Sequence, residues 1–248
     1  MNNWYAYEWE LDNVPGTFQV DLDYAEEFDT LGDFTTLLFV ACHSLYTDSA
    51  AFTPSEMRKL DAVLAGCRKL LGQKAVYVGN VDAGVLRKYF FYTSDARVLV
   101  PLMNYCAEVK AFRVECGKSP EPERQTYYTL LLPDATRRQA VDNGAYVRSM
   151  AALGDDVSAR RRITLHFFFP TARSRESFSE SALSQGFAIG ADDFLPDAAC
   201  PYYLAVHRIA PLDPAALTRL TTAAIGIAGP LGGLLEHLDA VFVRKRKW

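Results

Sequence analysis

The chain has 248 residues, half of them hydrophobic and 12% aromatic, with a formal net charge of −4 and a pI near 5.6. That is enough apolar material for one or two cores, and the charge balance argues against bulk attraction to nucleic acid or to an anionic membrane. No apolar run approaches the ~20 residues a membrane helix needs, so no membrane association is expected. The elements then follow in chain order. Residues 4–10 and 17–23 alternate in polarity around Asn13, Pro15 and Gly16, which predicts a hairpin. Residues 35–42 are a continuous apolar run, the mark of a central strand. Thr53 and Pro54 open a helix whose apolar positions (Met57, Leu60, Val63, Leu64, Cys67, Leu70, Leu71) recur at helical spacing until Gly72.

Residues 74–80 and 85–92 read as strands, 95–108 as a helix with a late start at Pro101, and 110–116 as a strand. A turn-rich stretch at 117–123 precedes helical residues 123–132 and 134–153, the second broken at Asn143-Gly144. Residues 161–169 form a strand, 173–185 a helix ended by Gly186, 187–190 and 202–210 strands, 213–228 a helix capped by Asp213, and 236–243 the last strand. From residue 35 the order strand, helix, strand, strand, helix, strand occurs twice. This predicts an α+β chain of two ferredoxin-like (βαββαβ) modules with antiparallel sheets, the first preceded by an extra β-hairpin. The expected division is a first domain over 1–135, a helical linker over 136–159, and a second module over 160–248.

The stretch "YVGNVDAGVLRKYFFY" at 77–92 has the glycine spacing of a Walker loop in Gly79 and Gly84. Val85-Leu86 stands where Lys and Ser/Thr are required, and a strand follows instead of a helix, so the stretch predicts a hairpin turning at Asp82-Ala83-Gly84. The dinucleotide fingerprint G-x-G-x-x-G and the G-x-S-x-G elbow are absent from the sequence. Cys42, Cys67, Cys106, Cys116 and Cys200 are widely spaced with no C-x-x-C, which argues for core thiols in a reducing cytoplasm and against a zinc ribbon or disulfide framework. The start Met1-Asn2-Asn3-Trp4 has neither the basic nor the apolar stretch of a secretory leader. No catalytic residue, cofactor or metal is indicated.

Histidines 43, 166, 207 and 237 fall into no ligand motif. In the second module, Ile163, Leu165, Phe167 and Phe169 are expected to face the helices, so Thr164, His166 and Phe168 face the other way. With the first and third strands taken as parallel neighbours, Tyr203 and His207 share that face. His166, Phe168, Tyr203 and His207 then form a candidate partner surface, with packing against the rest of the chain as the competing reading. An acid–base or metal pair of His166 and His207 is a remoter one. Charge is uneven: residues 1–159 carry 15 Lys/Arg against 22 Asp/Glu, and residues 160–248 carry 11 against 8. Two basic runs, Arg160-Arg161-Arg162 and Arg244-Lys245-Arg246-Lys247, are expected to converge at one corner, because the first and last strands are antiparallel neighbours. Such a corner could meet RNA or an acidic protein, or be no more than two solvated strand ends.

The N-terminal landmarks Trp4-Tyr5-Ala6-Tyr7-Glu8, Pro54-Ser55-Glu56, "VGNVDAGVLRKYFFY" and "YYTLLLP" resemble the domain of unknown function 695 family over about residues 3–135. The C-terminal landmarks "ITLHFFF", Gly186-Phe187, Gly232-Gly233 and Asp239 are similar to the regulator of ribonuclease activity B family over about 161–245. The second resemblance implies a ferredoxin-like fold and a protein partner, the endoribonuclease E, whose RNA cleavage the regulator inhibits without catalysis of its own. It also adds Asp239 to the candidate surface. The family's terminal Tyr-Asp-Gly-Trp run is here Leu238-Asp239-Ala240-Val241, so only the Asp persists. The expectation is a non-catalytic cytoplasmic regulator that binds a protein, possible direct RNA contact being secondary. The alternative is an enzyme or small-ligand binder with a site between the two modules.

Overall fold

The computed structural model describes residues 3–11, 14–28, 31–46 and 50–244. The chain divides into two units, Met1–Pro133 and Asp134–Trp248.

The first unit contains β1 (Trp4–Leu11), β2 (Val14–Asp21), α1 (Tyr24–Glu27), β3 (Thr36–His43), α2 (Pro54–Leu71), β4 (Ala75–Ala83), β5 (Leu86–Thr93), α3 (Leu99–Glu108) and β6 (Arg113–Pro120). Its six-stranded sheet runs β1-β2-β4-β5-β3-β6, and each neighbouring pair is antiparallel. The last four strands in that order form the βαββαβ sheet, and the β1–β2 hairpin extends it at the β4 edge. Helix α2 starts where its chemistry requires. The Thr53 Oγ1 accepts from the Glu56 N–H at 3.3 Å, and the Glu56 carboxylate accepts from the Thr53 N–H at 2.9 Å. This reciprocal box satisfies two of the donors that a helix start leaves open. One face of α2 buries Leu60, Val63, Cys67 and Leu71 against Leu38, Val40, Tyr89 and Phe91 of the sheet, with Leu102 of α3 closing the cluster. Each fully buried Leu, Val or Phe side chain there contributes about 1.5–3 kcal/mol of transfer free energy.

Alternate residues point the other way. There Phe28, Tyr92 and Tyr127 are buried, with the Phe28 and Tyr127 rings edge to face at 5.0 Å. Tyr127 lies in a π-helical turn, Thr126–Leu131, and its hydroxyl donates to the Asp21 carbonyl at 2.8 Å. The β6 strand extends to Pro120, further than the turn-rich composition of 117–123 predicts. Proline is tolerated because β6 is an edge strand, where a missing N–H costs no ladder bond.

The stretch at 77–92 is a hairpin. Gly84 turns it at φ +57°, a left-handed conformation that suits glycine. Gly79 lets β2 approach, since a Cβ there would overlap the Gln19 carbonyl. The basic pair is absorbed locally: Arg87 makes a two-pronged contact with its cross-strand partner Asp82, and the Lys88 ammonium sits 4.4 Å over the Phe39 ring.

The second unit contains α4 (Ala135–Ala152), β7 (Arg160–Phe169), α5 (Ala172–Ser184), β8 (Ala188–Phe194), β9 (Tyr202–Pro211), α6 (Pro214–Ala228) and β10 (Leu234–Ala240). Its sheet runs β10-β7-β9-β8. The α+β class with two antiparallel sheets is as the sequence predicts. One strand relationship is not: β7 and β9 are antiparallel neighbours, with Arg160 opposite Pro211 and Phe169 opposite Tyr202. The reason is the βαββ order itself. The α5 crossover makes β8 parallel to β7, and β9 returns antiparallel between them.

Helix α4 is unbroken at Asn143-Gly144. The Asn143 amide is buried and donates to Thr221 Oγ1 of α6 at 2.9 Å, and this tertiary contact outweighs its poor helix propensity. Val147 joins the core of Ile163, Leu165, Phe167, Phe178, Leu217 and Leu220, and Tyr146 and Met150 pack against it. The helix read in the sequence as a connection therefore packs within the second unit. The Cys42, Cys67 and Cys106 side chains are buried and Cys116 and Cys200 half-buried, all as free thiols. Burial pushes the Cys42 and Cys67 thiols up to about 12.

Candidate partner-binding face

Strand alternation divides the second sheet. Ile163, Leu165, Phe167 and Phe169 of β7 and Leu204 and Val206 of β9 enter the core with the helices. Thr164, His166 and Phe168, with Tyr203, Ala205 and His207, therefore occupy the outer face. Strand β10 adds Leu234 opposite Phe168, His237 opposite His166, and Asp239 opposite Thr164.

His166 is the hub. Its Nε2 lies 2.7 Å from Asp239 Oδ2, and its Nδ1 lies 2.7 Å from the Tyr203 hydroxyl. An ionised carboxylate can only accept, so Nε2–H donates to Asp239, and in the neutral ring Nδ1 accepts the Tyr203 hydroxyl proton. The His237 ring stacks on His166 with centroids 4.0 Å apart and planes 10° from parallel. His237 Nδ1 meets the Glu236 carboxylate at 3.2 Å. Phe168 packs on Tyr203 at 5.3 Å. The Tyr203 hydroxyl ionises above its ordinary range, mainly because of burial, with Asp239, Glu236 and Asp193 adding repulsion.

The structure thus joins His166, Phe168, Tyr203 and Asp239 in one contiguous set. His207 lies on the same face but one pair further along, opposite Thr164, while His166 faces Ala205. Sequence reasoning singled out His207 and missed His237. The missed signal was there: His237 and Asp239 are two apart in a strand and must share a face. Among the described residues, no group of three or more His, Cys, Asp or Glu side chains is placed to hold a metal. The face offers aromatic and imidazole rings, two strongly exposed apolar side chains (Leu234, Ile209) and carboxylates in contact with imidazole nitrogens. That composition suits protein recognition: rigid rings with polar tips at low entropic cost.

The basic corner is only partly a surface. Arg161 is buried, its side chain 2% exposed, and its Nη1 bonds both oxygens of Asp155 at 2.6 and 2.7 Å. It also donates to the carbonyls of Val241, Asp156 and Ala159. Strand parity sends this side chain inward, where its charge is cancelled. Arg160, Arg162 and Arg244 are exposed, and the Arg244 backbone pairs with that of Asp155 in an isolated antiparallel β-bridge beside the start of β7. Lys245, Arg246 and Lys247 lie outside the described residues. No described helix is long and apolar enough to cross a membrane.

No curated protein matches the chain. Among solved structures, the chain is similar at 9% identity and a TM-score of 0.24 to an unknown protein from Galdieria sulphuraria, over 84% of this chain and 98% of that one; a likeness at that level bears on nothing below. The C-terminal part is more informative: residues 140–237 match the family model of the regulator of ribonuclease activity B.

Proposed function

We propose that this chain is a non-catalytic regulator that binds a protein of RNA metabolism, a ribonuclease first, through the outer face of its second sheet. The observation that supports this most is a coincidence of position. The segment matching the regulator family contains His166, Phe168, Tyr203, His207 and His237, which share that face; Asp239 follows just beyond it. Asp239 and Tyr203 hold the His166 ring from both sides, which presents a pre-ordered ring cluster and lowers the entropic cost of docking. On this reading the first unit belongs with the domain of unknown function 695 family, and the protein acts in the cytoplasm.

The test is inhibition. Purified chain is titrated into cleavage of a structured RNA by endoribonuclease E from the same organism. The expected result is slower cleavage, abolished by a Phe168→Ala/Tyr203→Ala double variant that keeps its fold. Direct RNA contact by Arg160, Arg162 and Arg244 is a secondary reading. It is separated by measuring whether the chain retards the RNA alone, with a steep salt dependence.

A further inference from the structure

The first unit holds a cavity of about 420 Å³, within the range of small-molecule sites. Trp4, Tyr24, Phe34 and Tyr77 supply aromatic walls, and Asp21 and Arg68 are its charged lining residues. The Trp4 and Tyr77 rings lie 5.2 Å apart. The wall around Phe34 is held in place from behind. Arg124 donates to the carbonyls of Leu31, Gly32 and Phe34 at 3.1–3.2 Å, while its guanidinium sits 4.7 Å over Phe28. Arg124 does so at φ +48°, the one described non-glycine residue with positive φ, so a costly backbone conformation is spent on this wall.

Asp21 is the unusual group. It is 5% exposed, and its side chain accepts a single 3.2 Å bond, from the Asp23 N–H to Oδ1. No ion pair with Asp21 forms among the described residues, and none of their fully buried side-chain polar atoms lacks a partner. Oδ2 must therefore keep some residual exposure, and Asp21 lines the cavity. A buried carboxylate without an ion pair is costly, and here burial raises the Asp21 carboxyl above its usual range, with Asp23 and Glu27 adding repulsion. The cavity also takes in Leu71, Gly72 and Gln73, at the C-terminal end of the 18-residue α2. Helix carbonyls there carry partial negative charge and favour a cation. Ring faces do the same. Arg68 lies over the Tyr77 ring at 5.9 Å, at an exposed position of the lining.

The geometry points to a small-ligand site for an ammonium group carried on an apolar or aromatic body, the ammonium meeting Asp21 and the body lying against Trp4 and Tyr77. Two sources share this chemistry. A plain amine uses Asp21 and the rings alone. A zwitterion such as an aromatic amino acid also places its carboxylate on Arg68. The site lies wholly in the first unit and stands independently of the partner face.

The test uses the full chain and three probes: phenethylamine, L-phenylalanine and the neutral 2-phenylethanol, followed by titration calorimetry and by the ring signals of Trp4 and Tyr77. The expected result is binding of at least one ammonium probe, at least about tenfold tighter than the alcohol, and at least about tenfold weaker in Asp21→Asn. Arg68→Gln then assigns the source: a loss for phenylalanine alone supports the zwitterion, and no loss for either supports the plain amine. The proposal is overturned if neither ammonium probe binds at millimolar concentration, if the alcohol binds equally well, or if a folded Asp21→Asn chain binds as wild type does. Should Asp21→Asn fail to fold, the comparison of amine with alcohol on the wild-type chain still decides.

Discussion

His166 and His237 stack across the β7–β10 pair with their rings 4.0 Å apart, while Asp239 and Tyr203 hold His166 at either nitrogen. The result is an ordered ring cluster on a sheet face. Its energetic meaning is in the order: every ring fixed before docking is a ring that need not be fixed during it. Removing the Tyr203 hydroxyl by Tyr203→Phe leaves the His166 Nδ1 without its partner. The expected stability change is about 0.5–1.5 kcal/mol, read by urea unfolding, and partner affinity is expected to fall further than stability.

The two neighbouring arginines of the 160–162 run should behave in opposite ways. Arg161→Ala leaves Asp155 buried and uncompensated, with both side chains essentially inaccessible. It is expected to cost about 3–5 kcal/mol. Arg162→Ala, on an exposed position, is expected to stay within about 0.5 kcal/mol. Denaturant midpoints for the two variants check this directly.

The second unit should fold as residues 134–248 and fail as residues 160–248. Helix α4 supplies Val147 to the core and the Asn143 amide to Thr221. Without it the α6 face is stripped of apolar cover, and the buried Thr221 hydroxyl loses its donor. Circular dichroism melts of the two fragments are the measurement, with a cooperative transition expected only for the longer one.

The first unit should lose stability in alkali. Burial raises the Tyr77, Tyr89, Tyr92 and Tyr127 hydroxyls above their ordinary value of 10.0. The folded state therefore holds these protons more tightly than the unfolded chain. The contribution is complete below pH 10 and is lost as pH rises above it, because the unfolded chain can release protons that the fold retains. Near-ultraviolet tyrosinate absorbance should rise for the exposed tyrosines first and for these four only with unfolding.

Much of this was legible in the residues because local chemistry and tertiary packing agree. Thr53, Pro54 and Glu56 write the start of α2, and the alternation of Ile163 to Phe169 writes the faces of β7. What sequence could not supply came from contacts between distant segments. The direction of β9 follows from how strands insert between one another, the continuity of α4 from Thr221, and the end of β6 from its place at the sheet edge. The inward turn of Arg161 follows from strand parity, yet its partner Asp155 sits in a loop with no pattern. The cavity around Asp21 gathers residues from β1, β2, α2 and β4 and from the loop before β3, so no linear motif announces it.

The most direct test of the central claim is the affinity of the full chain for endoribonuclease E from the same organism, measured with nuclease-treated samples, for wild type and for Phe168→Ala/Tyr203→Ala. The account predicts a complex that survives nuclease treatment and weakens at least about tenfold in the double variant, since ring anchors carry most of an interface's energy. A complex that survives with unchanged affinity in the folded variant, or one that disappears with the RNA, would contradict it.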